Sequence, residues 1–288
     1  MASNSPDDLT IVGTRPEPWD RLCDFMSYHG LVLKHEQNLT TIGNKKVLAF
    51  HAPINQRIKE IRAMSQGYDS IICDGLFAEE SWPLLAELLK DISTERFQSL
   101  DHLLQSPGNT EVVDVTSAKS RHDLKNNMVD YLKSQKVRST ITDRCFLVAE
   151  EMLMNAIYDA PTDPSTGGSL YNHLSRKDDI QLVPLQYSRL EYGSKGKIVA
   201  VAVTDPFGAL TRETLIDYLE SCYTGNAGVI NERSGKGGAG RGLHQIVENS
   251  DLTVFQVKRG RKTRVVSYFW QKENPFGENP QLSFTYFD

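Results

Sequence analysis

Glu150-Glu151-Met152-Leu153-Met154-Asn155-Ala156 is the stretch from which the rest of the chain is read. It lies in the middle of a predicted helix over about Thr140 to Tyr158. Glu151 and Asn155 stand four residues apart, so both project from one helix face. Asparagine is mildly unfavourable inside a helix, so its presence there asks for a reason. A carboxylate and an amide on one face suit a metal–nucleotide site, where the amide oxygen ligates Mg²⁺ and the carboxylate accepts a proton. For this segment alone, a polar stripe facing solvent is the alternative.

Two later segments extend the pattern. In Val201-Ala202-Val203-Thr204-Asp205-Pro206-Phe207-Gly208-Ala209-Leu210, an apolar strand delivers one Asp to its end, before a tight turn containing glycine. A carboxylate placed there can accept the exocyclic amine of adenine; alone, the segment is an ordinary strand and turn with a capping Asp. Gly235-Lys236-Gly237-Gly238-Ala239-Gly240-Arg241-Gly242-Leu243 then opens a helix. Its glycines let backbone N–H groups approach phosphate oxygens, and the helix start favours negative charge. No Gly-Lys-Ser/Thr closes it, so it is not a Walker A loop. It follows a polar stretch instead of a strand, so it is not a Rossmann turn. A flexible glycine linker is the alternative.

The order of these three segments resembles the N, G1 and G2 boxes of the GHKL (Bergerat-fold) ATPase superfamily. It is most similar to the anti-sigma-factor serine kinases and other histidine-kinase-like ATPase domains of bacterial signalling. The resemblance covers roughly residues 109 to 270 and extends to the layout of elements and to Glu248, Asn249 and Asp251. It implies an α+β two-layer sandwich that binds Mg-ATP. Asn155 would hold Mg²⁺, Glu151 would be the general base and Asp205 would bind adenine. Gly208 would shape the adenine turn, while Gly238, Gly240 and Gly242, with Lys236 and Arg241, would hold phosphates. Thr263 would reach the adenine through its hydroxyl. Residues 211 to 235 would form a mobile lid. Asp159, one turn beyond Asn155, reads either as a residue supporting the metal ligand or, the favoured reading, as a helix-end residue.

The chain departs from that pattern at the G1 box, Asp-x-Gly-x-Gly in the family. Phe207 and Ala209 occupy the two glycine places, with Gly208 between them. Sensor histidine kinases usually carry Asn where Glu151 stands, whereas family members that activate a hydroxyl or water carry Glu. The resemblance thus implies a serine/threonine kinase or ATPase that phosphorylates a partner protein. A non-catalytic, ATP-dependent binding switch or a degenerate scaffold is the alternative. A histidine kinase using His122, within Arg121-His122-Asp123-Leu124, is a further one. Family analogy also raises homodimerisation.

The first hundred residues alternate short apolar strands with amphipathic helices, which favours an α/β layer arrangement. The turn-rich Ser106-Pro107-Gly108-Asn109 suggests a boundary between an N-terminal α/β domain (1–106) and the ATP-binding domain (109–288). Asp74 precedes Gly75 at a strand end, where a receiver domain keeps its phosphoacceptor. The acidic pair Asp7-Asp8, however, precedes the first strand instead of following it. A degenerate receiver-like fold that docks a partner or senses a signal is therefore expected there. A final strand pair, Leu252–Lys258 and Thr263–Trp270, is expected to complete the sheet.

Composition excludes other classes. A net charge of −5 argues against nucleic acid as the main partner. The basic cluster Lys258, Arg259, Arg261, Lys262 and Arg264 reads as a solvated hairpin tip. Four scattered cysteines form no CxxC pair and suggest reduced thiols. The polar start MASNSPDD does not read as a signal peptide, and no apolar run is long enough for a membrane span. A cytoplasmic protein is expected.

Overall fold

The computed structural model describes residues 8–37, 45–50, 57–105, 108–225, 241–277 and 279–287. Strand β1 (Asp8–Val12), helix α1 (Trp19–Tyr28), β2 (Val32–Glu36), β3 (Lys45–Phe50), α2 (Arg57–Met64) and β4 (Ser70–Cys73) alternate as expected. Helices α3 (Trp82–Thr94) and α4 (Leu100–Leu103) follow. Glu95 ends α3 in the left-handed region at φ 52°, and α4 is a single turn. Then come β5 (Thr110–Val115), α5 (Arg121–Ser134), α6 (Ser139–Met154), β6 (Ser188–Lys195) and β7 (Ile198–Asp205). The chain closes with α7 (Arg212–Tyr223), α8 (Arg241–Glu248), β8 (Leu252–Lys258), β9 (Lys262–Trp270) and β10 (Gln281–Phe287).

The strands form a single ten-stranded mixed sheet in the order β2-β1-β3-β4-β10-β8-β9-β7-β6-β5. The first four are mutually parallel, with Ile11 opposite His35 on one side and Val47 on the other. From β8 to β5 the pairings are antiparallel. β10 joins the two regions, running antiparallel to β4 and parallel to β8. It was not expected from the sequence, which was read as ending its sheet with the β8–β9 pair. Its side chains alternate. Leu282, Phe284 and Tyr286 enter one core, while Ser283 accepts from the Cys73 N–H at 3.2 Å and Thr285 bonds Ser70 at 3.2 Å.

Helices cover both faces. Alternation along β7 shows how: Val199, Val201 and Val203 face the core built with α2, α5, α6, α7 and α8. Ala200 and Ala202 face the core built with α1, α3 and α4. A mixed α/β architecture is thus present, but the two-layer arrangement is corrected to helix–sheet–helix. Ala200 and Ala202 share a core with residues of α1, α3 and α4 on the face that a two-layer sandwich leaves open. The boundary expected at Ser106–Asn109, where residues 106 and 107 lie outside the described residues, falls between α4 and β5, and both cores draw residues from either side of it. Among the described residues, no helix is long and apolar enough to cross a membrane.

Phe284 is 1% exposed in the centre of the sheet. Phe284→Ala is expected to lower the unfolding free energy by about 3–5 kcal/mol. In urea titrations of single-tryptophan forms, Trp82 and Trp270 should report one shared midpoint, falling together in the variant. Separate midpoints would show that the halves unfold independently.

Candidate functional site

A cavity of about 250 Å³ opens between the C-terminal end of α6, helix α7 and the ends of β7 and β9. Its polar lining is Asn155, Asp159, Asn172, Asp205, Thr214 and Thr263. Val203 and Val265 supply apolar wall from the sheet, and Leu243 of α8 closes one side. Residues from the three sequence segments therefore meet at one place, separated by up to 91 positions in the chain (152 to 243).

Asp205 ends β7 and is 7% exposed. Its Oδ1 accepts the N–H of Phe207 at 2.9 Å and of Gly208 at 3.3 Å, so the carboxylate organises the turn that follows it. Gly208 is required there twice over. Its φ is +61°, and an added Cβ would collide with the Lys258 carbonyl and lie 2.7 Å from the Arg261 nitrogen. The Gly208 carbonyl in turn accepts the Gly260 N–H at 3.1 Å, which pins this turn to the β8–β9 hairpin. Phe207 and Ala209 flank a turn that holds its shape through Gly208.

Burial raises the Asp205 pKa from 3.8 to about 6, against the backbone N–H groups that favour its charge. The Thr263 hydroxyl lies beside this carboxyl and eases its ionisation. It nonetheless falls short of hydrogen-bond geometry and, although buried, has no partner. Register explains the neighbourhood: Thr263 is directly opposite Asp205 in the β7–β9 ladder.

Helix α6 ends in an i→i+5 turn over Asn155–Asp159, closed by Ala160 N–H to Asn155 O at 2.8 Å. Such wide turns occur frequently at functional sites. Here the turn brings Asn155 and Asp159 to the same cavity. Reading Asp159 as a mere helix end is therefore corrected. Both its oxygens accept from Arg176 Nη2 at 2.7 Å, and the Arg176 guanidinium lies 4.8 Å from the centre of the Tyr158 ring. Arg176, Asn172, Thr214 and Tyr218 were not anticipated. They sit in a long loop and on the helix expected to be a lid, where spacing carries little signal.

Glu151 is half-buried one turn before Asn155. Burial, and then the neighbouring Glu150, raise its pKa, while Arg176 and Arg121 lower it. Glu150 is itself held by Arg121 Nε at 3.1 Å and Lys125 Nζ at 2.5 Å. Gly242 closes over this face: a Cβ there would stand 2.6 Å from Glu151 Oε2 and 3.7 Å from Asn155 Oδ1. A side chain at 242 would fill the space beside the carboxylate and the amide.

Lys236, Gly238 and Gly240 lie outside the described residues, as does the Arg241 side chain; the Arg241 backbone opens α8. The expected lid is corrected in its first half. Residues 212–223 form α7, capped by Thr211 Oγ1 accepting the Thr214 N–H at 3.1 Å and packed through the buried Leu215 and Leu219. Residues 226–235 lie outside the described residues. Asp251 is structural, accepting Arg144 Nη2 and the Trp270 N–H, both at 2.6 Å. His122 is exposed on α5 and does not line the cavity. Asp74 lines a separate cavity with Arg15 and Glu17. Comparison with protein-family models and with curated proteins finds no match for this chain.

The raised pKa of Asp205 has a consequence for stability. The folded state holds this proton more tightly than the unfolded chain, so the group favours folding in acid. That contribution fades as pH rises through about 6. Asp205→Asn removes the titration while keeping an acceptor for the two N–H groups. Relative to wild type, the variant should gain on the order of 2–3 kcal/mol between about pH 4 and pH 7. Chemical denaturation of both proteins across that range checks it; a pH-independent difference would mean that the carboxyl is not carried buried.

Proposed function

We propose that this cavity is a Bergerat-type Mg-ATP site and that the chain is a cytoplasmic signalling kinase acting on a Ser or Thr of a partner protein. The observation that carries the reading is the approach of Gly242 to Glu151 and Asn155. The start of α8, the Asn155 amide and the Glu151 carboxylate stand close together there, as a Mg-phosphate site would require. The buried Asp205 and the unpartnered Thr263 hydroxyl at the cavity wall fit an adenine edge.

Among the described residues, no cluster of three or more His, Cys, Asp or Glu could hold a metal. Mg²⁺ takes only one or two protein ligands together with phosphate oxygens. Asn155 would be its protein ligand, and the ion would supply charge neutralisation at the phosphates. The remaining work belongs to side chains. Asp205 accepts the adenine amine, and Thr263 gains the partner it lacks. Glu151 takes the proton from the partner's hydroxyl as its oxygen forms a bond to the γ-phosphorus and ADP leaves. The raised pKa of Glu151 suits a group that must accept a proton near neutral pH.

A second reading, a binding switch without chemistry, is favoured by one feature. Ala209 lines the cavity at a place where the family that the sequence resembles carries glycine.

Calorimetry with Mg-ATP and partner-phosphorylation assays separate these. Wild type should bind in the micromolar range, and Asn155→Ala should lose Mg²⁺-dependent affinity by about tenfold or more. Glu151→Gln should retain nucleotide and lose transfer by about a hundredfold or more. Undiminished partner binding and signalling in Glu151→Gln would favour the switch. No binding by wild type would end the nucleotide reading.

Gly242→Ala provides an independent check. The fold should survive, because the crowded neighbour is the end of a flexible side chain, but nucleotide affinity should drop by about tenfold or more. Unchanged affinity would remove the observation on which the proposal stands.

A further inference from the structure

A second cavity, of about 460 Å³, lies on the opposite face of the same strands. Strand alternation sets the two back to back. Asp205 and Thr263 form one cross-strand pair, and their chain neighbours Thr204 and Arg264 form the next. Thr204 and Arg264 line the second cavity, and Arg189 stands opposite Thr204 on the adjoining strand. The basic cluster is thus not wholly a solvated hairpin tip. Arg264 is only 1% exposed, and Lys262, two residues before it, lines the same cavity.

Three cations, Arg189, Lys262 and Arg264, share this lining with three carboxylates, Asp114, Glu191 and Asp205, but the carboxylates are already committed: Asp205 accepts the Phe207 and Gly208 N–H groups. Glu191 is committed to Arg264, at 3.3 Å, and accepts the Leu100 N–H at 2.9 Å. Asp114 pairs with Arg189 at 3.7 Å. Among the described residues, Lys262 has no carboxylate partner; its ammonium lies 5.9 Å from the centre of the Phe97 ring. Burial and then the neighbouring Arg264 and Arg189 push its pKa down, the response of a cation crowded by like charge. The buried Arg264 Nε also lacks a hydrogen-bond partner. Phe97, Pro184 and Tyr187 provide apolar and aromatic wall beside these cations. A volume of this size is in the range of small-molecule sites.

We infer that this cavity binds a small organic anion, a phosphate or carboxylate carried on an apolar or aromatic body. Lys262 and Arg189 contact the anionic group, and Arg264 supplies buried positive potential behind them. Phe97 and Tyr187 face the body of the ligand. Because Asp205 borders both cavities, the anion acts as an effector of the nucleotide face. The site itself stands independently of the nucleotide reading; only this coupling rests on it.

Phenyl phosphate is the probe, with inorganic phosphate and phenol as controls. Calorimetry uses the full chain as wild type, Lys262→Gln and Arg189→Gln, both exposed positions whose change leaves the fold intact. Phenyl phosphate should bind wild type more tightly than either control, and each variant should weaken it by about tenfold. Saturating Mg-ADP should leave the site able to bind while shifting the affinity. Absence of binding, equal binding in the variants, or full displacement by Mg-ADP would overturn the proposal. Tight inorganic phosphate binding that matches phenyl phosphate would reduce the site to an adventitious ion only, and would overturn it too. If Mg-ADP itself fails to bind, the nucleotide reading falls, and the two variants still decide the anion site.

Discussion

Everything in this structure depends on β10 lying between β4 and β8. Seven residues near the end of the chain pair with the strand after α8 on one side, and two of them, Phe284 and Thr285, pair with β4 on the other. Without them the parallel strands β2-β1-β3-β4 and the antiparallel strands β8-β9-β7-β6-β5 would each present an unpaired edge, with its unsatisfied N–H and C=O groups. With β10 in place the backbone ladder runs unbroken through ten strands. The helices then share two continuous cores instead of building two small ones. A larger common core stabilises each part better than its own area could, because the buried fraction rises with size.

That continuity places the candidate site on a rigid base. Asp205 and Thr263 sit at the ends of β7 and β9, central strands covered on both faces, so their relative position is fixed by ladder bonds and not by a loop. The cost is a buried carboxyl whose ionisation is opposed by its surroundings. Four further features sharpen the picture: the wide turn after Met154, the unpartnered Thr263 hydroxyl, the left-handed Gly208 and the Cβ-free approach of Gly242. Each departs from what would best stabilise the fold, and all four gather around one cavity. Such clustering is what a binding site requires and what a core avoids.

The sequence was most legible where periodicity was strong. The alternation of β and α in the first half, the paired helices α5 and α6 and the strands β7, β8 and β9 can all be read from apolar spacing. The meeting of Asn155, Asp205 and the helix start at Gly242 was expected only from the order of three segments that resembles the N, G1 and G2 boxes, since each segment alone reads as ordinary helix, strand-turn or linker. β10 was missed although Leu282, Phe284 and Tyr286 alternate, since a short strand after a Pro- and Gly-containing turn looks like a tail. The far-face layer was missed for a different reason. Ala200 and Ala202 look like neutral strand residues, and only their place in one core with residues of α1, α3 and α4 shows that this face is covered. The roles of Arg176 and Arg264 depend on contacts 17 and 73 positions away, with Asp159 and Glu191, which no local pattern encodes.

Helix α7 shows why cavity and scaffold cannot be treated separately. One side of it, with Thr214 and Tyr218, walls the cavity. Its buried Leu215 and Leu219 join the same core as Ile61 and Met64 of α2. At the surface Glu220 pairs with Arg62 of α2 at 3.6 Å, an exposed contact of little energy that nevertheless marks the line of contact. Near its end, the Tyr223 hydroxyl donates to Glu248 of α8 at 2.7 Å. A displacement of α7 that widened or narrowed the cavity would have to shear its packing against both α2 and α8. Close-packed interfaces resist such continuous deformation and shift between discrete arrangements instead. The N-terminal half is therefore mechanically part of the cavity wall, through a helix whose sequence position alone suggested a loose lid.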